Sequence, residues 1–199
     1  MRSERMRVLV VYCHPVPESF CAAVRDATVA ALVERGSQVR LVDLYAERFD
    51  PVMPADERRT YNEHAPTHAD LAPHIDNLHW AEAILLVYPT WWYGPPAMLK
   101  GWFDRVWAKD VTFALTAEGR LMPLMAHIRK IGIITTCGAP WWFSFLIGQP
   151  GRKMVLRGIR ANFGLRCKTM FMAHYLMDTS TAESRASFLG KVRRKVAQF

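Results

Sequence analysis

No hydrophobic run in this 199-residue sequence approaches the ~20 apolar residues that a membrane-spanning helix needs. Residues 1–7 are basic, like the start of a secretory signal. The apolar run that follows covers only residues 8–12 before Cys13, His14 and Pro15 interrupt it, shorter than a signal core requires. Paired cysteines are also missing: Cys13, Cys21, Cys137 and Cys167 stand far apart, with no C-x-x-C and no spacing of a zinc site or disulfide framework. These absences favour a reducing, cytoplasmic setting and no stable membrane insertion. There is no G-x-G-x-x-G, which leaves a dinucleotide-binding Rossmann loop without support. Nor is there a compact metal-ligand motif among the seven histidines. His64, His68 and His74 therefore read as surface or pocket residues, and no metal is expected.

Acidic residues are outnumbered, 18 against 26 lysines and arginines, giving a formal charge of +8. The cations are spread along the chain except for Lys191, Arg193, Arg194 and Lys195, a cluster that suits a solvated helix face. A nucleic-acid partner would rest on charge alone, so none is expected. For small ligands, the same charge favours anions such as nucleotide phosphates.

What is present is a repeated switch between short apolar runs and amphipathic segments, the sequence form of a buried parallel sheet with helices on both faces. Five strands are predicted at residues 7–13, 38–43, 83–88, 131–136 and 168–173. Helices are predicted over 19–35, 96–108, 151–162 and 181–198. Residues 46–73, rich in proline, histidine and charge, read as a long surface excursion with some helix. This order suits one doubly wound α/β domain over residues 1–199 with flavodoxin-like strand order 2-1-3-4-5, whose ligands bind beyond the carboxyl ends of the strands.

Three loops lie at those ends. After the first strand, His14 to Phe20 leads into a helix whose opening N–H groups lack intrahelical partners. Ser19 and the N–H groups of Phe20 and Cys21 can hold a phosphate, with His14 as a donor or positive charge. The plainer alternative leaves Ser19 a helix cap and His14 a turn residue. After the third strand, Pro89, Thr90, Trp91, Trp92 and Tyr93 place aromatics outside any periodicity. They suit a stacked planar ligand, or a cover for the sheet end or a dimer contact. After the fourth strand, Thr135, Thr136, Cys137 and Gly138 offer hydroxyls and a glycine that permits close approach, or an ordinary turn. Cys137 reads as a packing residue of low reactivity, since nothing in the sequence puts a base beside it. The apolar run 141–147 suits a lid, a dimer face or a partner patch.

At these loops the sequence resembles the flavodoxin-like NAD(P)H:quinone reductases, the DT-diaphorase-like proteins that include ancillary flavoproteins of potassium-efflux systems. The resemblance is carried by His14-Pro15 with Ser19-Phe20, and by Tyr88-Pro89 through Trp92, Gly94, Pro96 and Leu99-Lys100-Gly101-Trp102-Phe103-Asp104-Arg105. It implies that His14, Ser19, Phe20 and Cys21 lie at the flavin phosphates. Pro89, Thr90, Trp91, Trp92 and Tyr93 would line the isoalloxazine, with Thr135, Thr136 and Gly138 along its other edge. It also implies FAD, with FMN as the alternative, NAD(P)H as donor, a quinone-like acceptor, ping-pong turnover and a homodimer. Cys21 stands where many relatives have Asn, Cys137 replaces the first Gly of a Thr-Thr-Gly-Gly turn, and Phe143 falls near the position of a catalytic Tyr. No catalytic side chain is therefore assigned, and Phe143 is expected to shape the acceptor pocket. Two further readings use the same fold: a regulator of a membrane potassium/proton antiporter, and a one-electron carrier, although the phosphate loop lacks the Thr/Ser-x-Thr-Gly-x-Thr form of flavodoxins.

Overall fold

The computed structural model describes residues 5–199, so residues 1–4 of the basic start lie outside it. In chain order it contains β1 (Arg7–Tyr12), α1 (Phe20–Glu34), β2 (Gln38–Asp43), α2 (Ala55–Thr60), α3 (Ala72–Trp80), β3 (Ala83–Pro89) and α4 (Ala97–Val106). These are followed by β4 (Phe113–Leu115), β5 (Leu121–Pro123), β6 (Lys130–Thr136), α5 (Trp141–Leu146), α6 (Pro150–Lys153), β7 (Lys168–His174) and α7 (Ala182–Ala197). Among these residues no helix is long and apolar enough to cross a membrane.

The main sheet runs β2-β1-β3-β6-β7, all parallel. Counting its strands in sequence gives the expected order 2-1-3-4-5. Every residue of central β3 is buried, because helices cover both faces and leave no position for a polar alternation. Leu9, Val11, Ile84 and Leu86 pack with Leu99, Trp102 and Val106 of α4 on one face. Val8, Val10, Leu85 and Val87 pack with α1 and α7 on the other. Ser19 caps α1 by accepting from the Ala22 N–H at 3.2 Å, and Thr181 and Ser184 form a capping box on α7.

Several elements depart from the sequence reading. Residues 151–162 are not one helix: α6 passes into a π-helical turn at Met154–Gly158 and a 3-10 turn at Ile159–Asn162. Met154, Val155 and Leu156 all touch the same core. In an α-helix three consecutive residues span about 200°, and the wider turn narrows that spread. The run 141–147 is largely helical, and α3 and the small β4–β5 hairpin appear where no element was predicted.

The excursion is fastened from beneath by Arg105. Its guanidinium, 3 % exposed, donates to both oxygens of Glu57 (3.3, 3.0 and 2.8 Å), to the Asp50 carbonyl and to Asp70. Gly101 lets the excursion close on α4, since a Cβ there would lie 2.3 Å from the Pro51 carbonyl oxygen. His74 is neither a surface nor a pocket residue. It is buried in the core, packs edge-on against Phe49 and accepts the Trp102 indole N–H at 3.3 Å.

Candidate functional site

The three loops meet at the carboxyl edge of β1, β3 and β6. In the first, His14 Nδ1 lies 3.0 Å from the Val16 N–H and 3.2 Å from the Val16 carbonyl oxygen, which ties the ring to the loop backbone. Burial lowers the pKa of His14, so near neutrality it is a donor and not a cation. The Phe20 ring packs against His174 and Phe188 at 5.2 and 6.3 Å. The Cys21 thiol is buried in the same core, and burial pushes its pKa up to about 12. What these positions present outward is their backbone: among the described residues, neither N–H has a hydrogen-bond partner. The first turn of α1 carries no acidic residue, and Arg25 lies nearby, 4.6 Å above the Tyr12 ring. An anion fits this donor set.

The second loop is a tight reversal. Trp91 and Gly94 exchange two backbone hydrogen bonds at 3.1 and 3.0 Å, and Trp92 and Tyr93 between them both have positive φ, 49° and 63°. Such a turn normally takes Gly or Asn at these positions, and a bulky residue there costs roughly 1–2 kcal/mol. The strain is held from outside, because the Gly151 N–H donates to the Tyr93 carbonyl at 2.9 Å. A Cβ on residue 151 would crowd that oxygen at 2.9 Å. Trp92 is thereby held with 97 % of its surface exposed. Trp91 lies 6.4 Å, ring to ring, from His14, linking the first two loops. Pro89 is buried at the end of β3, beneath the turn.

In the third loop, Thr135 and Thr136 are buried. The Thr135 hydroxyl pairs with that of Thr90 at 2.8 Å, and the Thr90 N–H donates to the Thr136 carbonyl at 2.7 Å. Gly138 does make a close approach, but to the protein itself: a Cβ there would stand 2.6 Å from Asp178 Oδ2. Cys137 is buried with its sulfur 3.7 Å from the Ser144 hydroxyl, in keeping with a packing residue. Phe143 meets Tyr93 edge-on at 6.1 Å.

Thr90, Tyr93 and Thr135 line a cavity together with Gln149, Arg152 and Tyr175. Its space of about 30 Å³ suits a water or two. Gln149 and Tyr175, bonded to one another at 3.3 Å, escaped sequence reasoning because they come from segments 26 residues apart that only the fold brings together. A polar residue between the apolar run and Pro150 was the one available hint.

The fold and this loop arrangement define a member of the doubly wound flavodoxin-like class, and comparison with known proteins agrees. A family model described as flavodoxin-like fold matches residues 6–196, and the chain belongs to that family. It is 36 % identical over 124 residues to the uncharacterized NAD(P)H oxidoreductase YcaK of Escherichia coli, covering 62 % of this chain and 61 % of the relative. It is 30 % identical over 155 residues to NAD(P)H dehydrogenase (quinone) 1 of Cavia porcellus, covering 69 % of this chain and 56 % of the relative. These matches thus span little more than half of the curated relatives' lengths. Among solved structures, the NAD(P)H:quinone oxidoreductase of Methanothermobacter marburgensis superimposes with a TM-score of 0.83 at 26 % identity, over 98 % of this chain and 96 % of that one.

Proposed function

We propose that residues 1–199 act as one flavin-binding domain that transfers two electrons from NAD(P)H to a quinone or similar acceptor by a ping-pong cycle. The observation that carries this reading is the convergence, at one sheet edge, of an anion-ready helix terminus with a strained turn displaying Trp91 and Trp92. A planar ring bearing a phosphate needs both. A flavin held there would supply two-electron chemistry between a reduced nicotinamide and a quinone, one of the hydroquinone's two protons originating in the nicotinamide hydride and the other in solvent.

The chain's own contribution is to bind and orient. Ser19 and the Phe20 and Cys21 N–H groups would hold the phosphate, with His14 as a further donor. Trp91, Trp92 and Tyr93 would flank the ring, and Thr90, Thr135 and Thr136 would support that loop from below. Thr90 and Thr135 spend their hydroxyls on each other, which rigidifies the platform. Phe143 cannot donate a proton, so it shapes the acceptor side. Donor and acceptor take the same face in turn. FAD is favoured over FMN on the resemblance.

A homodimer is part of the proposal. Trp141, Trp142, Phe145 and Leu146 of α5 are all more than half exposed, an apolar face suited to a second copy beside the site. A cytoplasmic location agrees with four free cysteines. The same exposed face also suits docking to a membrane antiporter, which keeps the regulator as the second reading; co-purification with a transporter would discriminate it.

The deciding assay is oxidation of NADH and NADPH by flavin-reconstituted protein with a short-chain quinone, following nicotinamide and flavin absorbance together. Flavin reduction followed by acceptor-dependent turnover is expected. Flavin binding without turnover would favour the regulator or carrier, and failure to bind either flavin would overturn the reading.

A further inference from the structure

Beside the small cavity, and sharing Gln149 and Arg152 with it, a groove of about 450 Å³ runs between the α6 segment and the edge strand β7. Its size falls within the roughly 300–1,000 Å³ of small-ligand sites. Four cations line it, Arg152, Lys153, Arg157 and Arg160, and no carboxylate among the described residues does. Two of the four are fixed in place. Arg152 donates to the Gln149 side chain at 2.8 Å and lies 4.7 Å above the Phe171 ring, while Arg160 Nε donates to the Cys167 carbonyl at 3.0 Å. An arginine carries five N–H donors, so both retain donors for a ligand. Arg157 sits on the π-helical turn, and such turns recur at functional sites. Like charges gathered in one groove repel each other unless an anion occupies it.

We propose that this groove is a phosphate site, and that it binds the nucleotide phosphates of the electron donor, favouring the dinucleotide that carries an additional phosphomonoester. The inference rests on the NAD(P)H-dependent reading of the neighbouring loops. An additional phosphate brings about −1.5 to −2 charges and three acceptor oxygens at neutral pH, which can neutralise and bond these cations where a neutral hydroxyl in its place cannot.

The test is calorimetric binding of adenosine 2′,5′-bisphosphate and of 5′-AMP to flavin-loaded protein, repeated with Arg157→Gln and Lys153→Gln, two exposed positions. Tighter binding of the bisphosphate by about tenfold or more is expected, the worth of one hydrogen bond to a charged group. That margin should shrink in both variants, and NADPH should lose more in kcat/KM than NADH does. Equal affinity for the two nucleotides, or a margin that both variants retain, overturns the proposal. So does equal competition by inorganic phosphate, which would mark a generic anion patch. Bisphosphate selectivity in protein that binds no flavin would uphold the phosphate site while sinking the reductase reading, so the two can fail separately.

Discussion

The excursion around α2 and the loops around Trp92 and α5 invert the usual relation between polarity and burial. The polar excursion is bolted to the core through a buried charge pair: Glu57 and Arg105 are 4 % and 3 % exposed. The aromatic loops sit in solvent, with Trp92 97 % exposed and the Trp142 and Phe145 surfaces largely open. One region spends ionic groups on shape, and the other withholds apolar surface from the core, where it would stabilise the fold. The second pattern is the one that suits binding.

The largest effect is expected where the excursion is fastened. Arg105→Met strands the Glu57 carboxylate in a buried site, and breaking one partner of such a pair costs about 3–5 kcal/mol. Urea unfolding should register that loss. The double variant Arg105→Met, Glu57→Leu should recover most of it, because two apolar residues can replace a buried pair at little cost. A single variant as stable as the parent would remove the bolt from the argument.

Acid should loosen the core next. Burial lowers the pKa of His74, whose neutral ring accepts from Trp102, and burial likewise lowers that of His174. A histidine with a depressed folded-state pKa is protonated first in the unfolded chain. Its stability contribution is therefore complete above the unfolded value near 6.5 and is lost as pH falls below it, by at most ~1.4 kcal/mol per pH unit for each proton. Thermal midpoints should fall between pH 7 and pH 5, and His74→Gln should flatten that slope while lowering stability at pH 7. An unchanged slope would place the acid response elsewhere.

The five strands could be read from the sequence because a strand covered on both faces is written as an unbroken apolar run, and β3 has no exposed residue to blur it. The exposed turn of the candidate site was legible where a residue type contradicted its context, as Trp91 and Trp92 do between prolines. Contacts between distant segments were not. Arg105 and Glu57 lie 48 residues apart, and nothing local marks them as partners. Phe20 and Cys21 open α1, where the helical period puts the Cys21 side chain in the core and packs Phe20 against it. Gln149, Arg152 and Tyr175 converge only once β6 and β7 are paired.

The smallest effects are expected at the exposed turn, and there stability and binding should move in opposite directions. Trp92 contributes almost nothing to the core and occupies a left-handed conformation that glycine adopts freely. Trp92→Gly should therefore hold or raise stability, by up to about 1 kcal/mol, and weaken flavin binding about two- to tenfold, the range of ~0.5–1.5 kcal/mol for one aromatic stacking contact. Fluorescence titration with FAD and FMN, set beside a thermal melt, reads both quantities on one sample. If Trp92→Gly instead destabilised the fold and left flavin affinity unchanged, the turn would belong with the excursion as scaffold, and the contrast between the two regions would fail at the residue that defines it.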